Sequence, residues 1–430
     1  MKHDYNCKIS KSKLNKIIRL NKVLRELNIS TKRAVEFLAS KNEVIEARPT
    51  VKITESQYLL LLSEFDASIK EKIVKKIQFK DLEKFYSDIG PQLYEKVVKN
   101  KNDVSPKPAL SKSESISNLT NAFTEEKLVL VLGAGVSLNF GAPSWGELLQ
   151  KLTVHTIEKD RKASDLLSNL FNDIFKPNPI ISGRYLQNYF EKNNSSFENM
   201  VRNVLYQSID KSENSELVNE ITKYCVSPGK SPNLDSIITY NFDDILEHKL
   251  DQTQMDIPYK SIFGVGMEIK NDELPIYHVH GFLPENGKLN ELNTITFGES
   301  NYHQQYSDIY SWNNIVQINK FRENICLFIG SSLTDPNIRR LLDIAYKQKG
   351  TGKKYHYIFK KKIKRADIID EVEENGVSKS DEIIGLLIDI YEKFEENDSS
   401  SLGVRTIWID EWTDIPKTLK LIRKSAIFEA

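Results

Sequence analysis

Four short stretches of this 430-residue chain end an apolar run on residues able to bind an anion, hold a hydroxyl or move a proton. Leu128 to Leu132 runs into Gly133-Ala134-Gly135, Val136 and Ser137. Asp235 to Asp244 reads DSIITYNFDD and places Thr239, Asn241 and Asp243 just beyond Ile237 and Ile238. Pro275 to Pro284 reads PIYHVHGFLP and brings His278 and His280 to the turn at Gly281. Ile325 to Leu342 reads ICLFIGSSLTDPNIRRLL and turns at Gly330 into Ser331 and Ser332. Glycine lets a ligand come close to the main chain and reaches backbone angles closed to other residues. The amides of a helix start attract phosphate, because free N–H donors and the helix dipole act together. A histidine among them is the side chain best suited to accept a proton near neutral pH.

Each stretch also has a plainer reading. A Gly-rich turn can be an ordinary strand-to-helix turn with nothing bound. An Asn after a strand commonly satisfies turn amides. His278 and His280 alternate along a strand and are expected to share a face. That would allow a metal pair, but no Cys or acidic residue at ligand spacing supports one, and His278 reads as a packed neighbour. The functional reading rests on the joint occurrence of the four stretches and on their order.

The elements that must position these residues follow from the pattern. Short continuous apolar runs are strands covered on both faces in a parallel sheet. Ser144 and Glu147 have capping-box spacing, which starts a helix near Trp145 carrying Leu148, Leu149 and Leu152 on one face. Asp335-Pro336 caps another helix, with proline in its first turn. In an open parallel sheet, ligands bind beyond the carboxyl ends of the strands, so four strand ends would converge on one site. YHYIF at Tyr355 to Phe359 and VRTIWI at Val404 to Ile409 read as two more strands, with the amphipathic helix DEIIGLLIDIYEKFEEND between them. Residues 150 to 230 read as a helical insertion over the cleft. Its pieces are Leu166, Leu167, Leu170 and Phe171 on one face, then ISGRYLQNYF and FENMVRNVLYQSI. The aromatics from Tyr302 to Trp312 read as core or interface rather than as a base-stacking platform. The fold class is α/β: a Rossmann-like parallel sheet with helices on both faces and a helical insertion, preceded by a small all-α domain.

The composition, 40% apolar and 28% charged, is that of a globular chain of two or three domains. No signal peptide and no bilayer-length apolar run is present, so a cytoplasmic protein without a membrane partner is expected. Cys7, Cys225 and Cys326 form no CxxC pair, which leaves neither a disulfide framework nor a zinc ribbon. The formal net charge of zero hides an asymmetry. Residues 1 to 110 hold 23 Lys and Arg against 14 Asp and Glu, and the remainder holds 37 against 46. The basic part reads as short amphipathic helices broken at Asn28-Ile29-Ser30 and Arg48-Pro49-Thr50. Ser30 and Thr31 cap a helix carrying Val35, Phe37 and Leu38. The resulting layout is a docking module over 1 to 66, a charged linker over 67 to 112 ending in NDVSPKPALSKSES, and the main domain over 113 to 430.

The segment from about residue 12 to 66 resembles the small helical amino-terminal domain of bacterial translation initiation factor two. The likeness lies in the succession LNKVLRELNIS, AVEFLASKN and ITESQYLLLLSEF. It implies docking on nucleic acid or on a protein; the basic excess permits nucleic acid, and a packed mini-core with a solvated basic face is the plainer reading.

From about residue 113 to 420 the motifs, in their order, resemble the sirtuin-like family and its bacterial branch of defence-associated NAD hydrolases. GAGVSLNFGAPSW at Gly133 to Trp145 is similar to the sirtuin GAG, Ser, Gly-Ile-Pro signature, so that Pro143 falls on its proline. TYNFD at Thr239 to Asp243 is similar to Thr-Gln-Asn-Ile-Asp, with Tyr240 in place of Gln. HVHG places the family's catalytic histidine on His280, and GSSL at Gly330 to Leu333 resembles the Gly-Thr-Ser segment that closes on the dinucleotide. The resemblance implies that the pyrophosphate of NAD+ lies on the amides of Ala134 to Ser137. It further implies that Asn241 holds the ribose and the attacking water, that His280 accepts a proton, and that Thr239, Asp243, Gly330, Ser331 and Ser332 line the cofactor. Asp243 would contact the nicotinamide carboxamide, although a helix-capping role suits it equally.

Two departures shape the expected chemistry. Cys326 is the only cysteine beyond His280, so the four-cysteine zinc module of the deacylating sirtuins is missing and no zinc is expected. GAPSW replaces Gly-Ile-Pro-Asp-Phe-Arg and loses the Arg of the cofactor loop. Both favour NAD+ hydrolysis to nicotinamide and ADP-ribose over protein deacylation. The family branch further implies a bacterial antiviral effector acting by abortive infection. Control by a homo-oligomer or by a partner protein, such as a motor ATPase encoded nearby, is part of that expectation. Two other classes stay open: a module that senses NAD or ADP-ribose without cleaving it, and a nucleic-acid-docking adaptor.

Overall fold

Strand β3, Leu128–Leu132, is buried at every position. Leu128, Leu130 and Leu132 enter one apolar cluster, and Val129 and Val131 enter another. A strand with apolar side chains on both faces needs cover on both, and that places it in the middle of a parallel sheet flanked by helices. The computed structural model describes residues 18–429 apart from positions 28, 42, 44, 49, 66–110, 158–177, 194–195, 227–233, 254–256, 351–353 and 369–380. By contacts the chain divides into two units, residues 1–104 with 363–390, and residues 105–362 with 391–430.

In the first unit, the pair β1 (Ile18–Arg19) and β2 (Lys52–Ile53) is antiparallel and joins three helices: α1 (Leu20–Glu26), α2 (Thr31–Ser40) and α3 (Glu55–Phe65). Leu20, Val23, Ala34, Leu38, Ile53 and Leu61 form its core. Ser30 caps α2 as expected, accepting a hydrogen bond from the Arg33 amide at 3.2 Å. The two-residue strand pair was not foreseen; its stretches are too short to show a period of two. The linker expected over 67 to 112 lies almost wholly outside the described residues, as does Cys7.

The second unit is a seven-stranded, wholly parallel sheet in the order β5-β6-β4-β3-β7-β8-β9. The strands are β4 (Leu234–Thr239), β5 (Tyr259–Ile262), β6 (Leu274–His278), β7 (Ile325–Ile329), β8 (His356–Lys361) and β9 (Val404–Ile409). The surrounding helices are α4 (Lys112–Thr124), α5 (Trp145–Ile157), α6 (Pro179–Lys192), α7 (Phe197–Tyr206), α8 (Glu216–Cys225) and α9 (Ile245–Asp251). After these come α10 (Glu299–Ser307), α11 (Trp312–Glu323), α12 (Pro336–Gln348), α13 (Asp381–Ser401), of which residues from 391 on belong to this unit, and α14 (Asp414–Glu429). This is the Rossmann-like α/β class read from the sequence. Successive strands leave β3 first toward β4 and later toward β7. The order of strands reverses there, and a crevice opens at such a switch point.

The helical segment adds a core of its own. Leu148 and Leu152 of α5, Leu186 and Phe190 of α6, and Val201 and Val204 of α7 pack with Phe242, Leu283 and Phe297, which follow the strand ends. Leu166, Leu167, Leu170 and Phe171 lie outside the described residues. Helix α5 begins at Trp145 because the Ser144 amide donates to Glu147 at 2.7 Å while the Glu147 amide donates back to Ser144 Oγ at 3.4 Å.

Candidate active site

The ends of β3 and β7 are joined backbone to backbone. The Gly133 amide donates to the Ile329 carbonyl at 2.9 Å and the Gly135 amide to the Gly330 carbonyl at 3.0 Å. A Cβ on Gly133 would lie 2.6 Å from the Gly330 oxygen, and one on Gly135 would lie 2.7 Å from the Gly330 Cα. Gly330 itself has φ +68. The glycines of the first turn are therefore required by the second turn. Gly133 has φ −117, so the expectation of unusual backbone angles there fails; the requirement is for space.

This stitching also trims the expected amide cradle. Gly135 is committed as described, and the Val136 and Ser137 amides close a tight turn onto Gly133 and Ala134 at 3.0 Å each. Ala134 is exposed and its amide makes no such bond among the described residues, so of the four amides it is the one left for an incoming anion. Ser331, beside Gly133, is half-buried and Ser332 exposed, and Pro143 is half-buried. The Ser332 hydroxyl pairs with Thr334 at 2.7 Å.

Asn241, just past β4, sits between these turns. Its Nδ2 donates to Ser137 Oγ at 2.9 Å and to the Gly133 carbonyl at 3.2 Å. Its backbone amide donates to the Thr239 hydroxyl at 3.1 Å. Ser137 in turn donates to Asp243 Oδ2 at 2.8 Å, and Asp243 Oδ1 accepts the Ile245 amide at 3.2 Å. Asp243 thus caps the start of α9 with one oxygen and anchors Ser137 with the other, and both are used inside the protein. Burial pushes its carboxyl up to about 6, with the Ser137 and Ile245 hydrogen bonds opposing.

His280 lies beyond β6, 7% exposed, and its Nε2 is buried without a hydrogen-bond partner among the described residues. Tyr240 meets its ring edge-on with centroids 4.8 Å apart, and Tyr302 approaches at 6.3 Å. Tyr302 donates to Asp335 Oδ2 at 2.5 Å, while Asp335 Oδ1 caps α12 through the Asn337 and Ile338 amides at 2.9 Å each. Burial lowers the affinity of His280 for a proton, the Asp335 charge partly opposing, so the neutral ring with a free nitrogen is favoured.

His278 and His280 do not share a face as expected. β6 ends at His278, and the chain turns sharply at Gly281, which has φ +107. His278 Nε2 meets Glu247 Oε1 at 2.7 Å, and its ring packs on Phe282 with centroids 4.1 Å apart. The expected strand ends thus bring Thr239, Asn241, Asp243, Gly133, Ser137 and Gly330 together, with His280 reached through Tyr240. Glu247, Tyr302 and the second role of Asp335 were missed. Glu247 left a signal: an acidic residue on α9 between Leu246 and Leu250, four residues after Asp243, falls on the buried face. Among the described residues, no group of three His, Cys, Asp or Glu is placed to hold a metal ion.

The parallel sheet with its switch-point crevice is a Rossmann-like α/β arrangement, and residues 235–379 within it match the SIR2-like domain family. Over 325 residues, 73% of this chain, it is 20% identical to the NAD(+) hydrolase ThsA of Enterococcus faecium. It is likewise 20% identical over 314 residues to the NAD(+) hydrolase ThsA of Bacillus cereus. The chain spans 59% and 56% of the length of these two relatives. A separate likeness covers 14% of the chain, at 52% identity over 61 residues, to translation initiation factor IF-2 of Christiangramia forsetii, of which it spans 6%. The amino-terminal resemblance read from the sequence stands on that match. No helix among the described residues is long and apolar enough to cross a membrane.

Proposed function

We propose that this chain hydrolyses NAD+ at the nicotinamide–ribose bond, giving nicotinamide and ADP-ribose. The observation that carries the reading is the buried, unpartnered Nε2 of His280 beside the convergent ends of β3, β4 and β7. A buried polar atom without a partner is costly, and it is kept where a ligand or a proton supplies the missing bond. As nicotinamide leaves, positive charge builds on the ribose, and rate is gained only by favouring that state over bound NAD+. His280, held neutral by burial, takes the proton from a ribose hydroxyl or from the attacking water. Asn241, whose amide N–H groups are tied to Ser137 and Gly133, offers its carbonyl oxygen to the ribose and the water. The Ala134 amide and the adjoining Ser331 and Ser332 receive the pyrophosphate, with Pro143 lining the cofactor. The likeness to NAD(+) hydrolases supports the same substrate.

In this reading the protein is a bacterial, cytoplasmic antiviral effector whose NAD+ consumption arrests the host cell, controlled by self-association or by a partner protein. The amino-terminal module is its docking part. The test is to incubate the purified chain with NAD+, measure binding by calorimetry, and follow nicotinamide and ADP-ribose by chromatography. Release of both, lost in His280→Ala, supports the reading. Saturable binding without release would replace it with NAD sensing, and absence of binding would overturn it.

A further inference from the structure

Beneath Asn241, on the side of the sheet away from His280, lies a second polar assembly that the proposed reaction does not use. His278 of β6 is 1% exposed and Glu247 of α9 is 7% exposed. His278 Nε2 lies 2.7 Å from Glu247 Oε1, and its Nδ1 lies 3.3 Å from the backbone carbonyl of Asn241. Ser261 of β5 donates to the same Glu247 oxygen at 2.8 Å. Glu247 Oε2 is buried with no hydrogen-bond partner among the described residues, at a cavity of about 20 Å³ that Thr239, Asn241 and Asp243 also line. That volume holds about one water, which would complete the bonding of the carboxyl group.

The two contacts of the His278 ring fix its proton count. A backbone carbonyl only accepts, so the bond to Asn241 requires a hydrogen on Nδ1. The bond to Glu247 then needs a hydrogen between Nε2 and Oε1, supplied by either partner. Both bonds exist together only when the pair carries one proton more than an ionised Glu247 beside a neutral His278. Without that proton, a bare Nδ1 lone pair faces a carbonyl oxygen and the tie to Asn241 is lost. Among the described residues, the other titratable groups facing the pair are Asp243, Cys225 of α8 and Tyr259 of β5, none of them a cation.

We propose that Glu247 and His278 are positioning residues: a proton-bearing brace that fixes the main chain of Asn241 from below and so aligns its side chain for reaction. The inference rests on the assignment of Asn241 to the site. When either member of the brace is removed, Asn241 loses one anchor and turnover falls.

Two measurements test it. In protein labelled with ¹⁵N-histidine, the His278 signals, assigned by their loss in His278→Gln, should show a hydrogen on Nδ1 in neutral solution, with the second hydrogen on Nε2 or on the Glu247 carboxyl. A His278 ring with a bare Nδ1 in neutral solution overturns the brace whether or not the protein cleaves NAD+. In nicotinamide release, Glu247→Ala should lower kcat and Glu247→Gln should restore it. The Gln amide donates to Nε2 and holds the Nδ1 hydrogen toward Asn241. A Glu247→Ala kcat equal to that of the wild type, or a Glu247→Gln kcat no better than that of Glu247→Ala, overturns the proposal. His278→Ala should lower kcat by about a hundredfold, the scale expected when a reacting group is misplaced by about 1 Å. If the wild type releases no nicotinamide, the nitrogen signals alone decide the brace and the failure belongs to the NAD+ reading.

Discussion

His278 and His280 stand two residues apart at one strand end in contrasting surroundings. His280 is ringed by Tyr240 and Tyr302 and keeps a ring nitrogen free. His278 is held at both ring nitrogens, one against Glu247 and one against the main chain of Asn241. A strand period of two predicts equivalent positions, and the turn after β6 makes them different. The aromatic side leaves a group free to exchange a proton, whereas the acidic side locks one in place. Identity of side chain says little about role until its partners are counted.

The largest effect that would break this contrast is at His280. His280→Ala should lower nicotinamide release by about a hundred- to ten-thousandfold, the usual contribution of a placed proton acceptor. A normal rate would mean that the free nitrogen does nothing. For the wild type, release should also fall at acid pH as the His280 ring becomes protonated. Burial lowers its proton affinity, so that loss should sit below the ordinary histidine range. Asn241→Ala should cost nearly as much, since in the proposed reaction its side chain holds the ribose and the attacking water; a variant with unchanged kcat would remove it from the site.

A smaller effect sharpens the electrostatic side. Asp243 ionises at about 6 when folded, above the ordinary carboxyl value, so the folded state holds the proton more tightly than the unfolded chain. Stability contributed by the protonated group is full below the unfolded value and declines as pH rises toward about 6, by on the order of 2–3 kcal/mol. Asp243→Asn can still accept from Ser137 and should remove that decline in denaturant titrations across pH; an unchanged pH profile would refute the assignment. Smallest is Ser144→Ala, remote from both histidines. It should cost about 1 kcal/mol of stability by uncapping α5 and leave the pH–rate profile unmoved.

Much of this was legible in the sequence, because continuous apolar runs ending in polar turns identify parallel strands and the residues after them. Thr239, Asn241, Gly133 and Gly330 came together for that reason. Helix starts were legible where caps are local, as at Ser30, Ser144 and Asp335. What escaped depends on contacts distant in the chain. Glu247 is paired with His278 over 31 positions and Tyr302 with Asp335 over 33. The different faces of His278 and His280 come from the Gly281 turn, which no period encodes. The amide cradle was read too generously, because the bonds that consume Gly135 cross to another strand.

The crossing of Gly133 and Gly135 onto Gly330 has a mechanical consequence. With no room for even a methyl group between the two turns, neither can shift toward the other without a backbone clash, so the floor of the crevice is closely keyed. Substitutions at these three glycines should act as wedges, damaging fold and function together, and would be poor tools for telling the two apart.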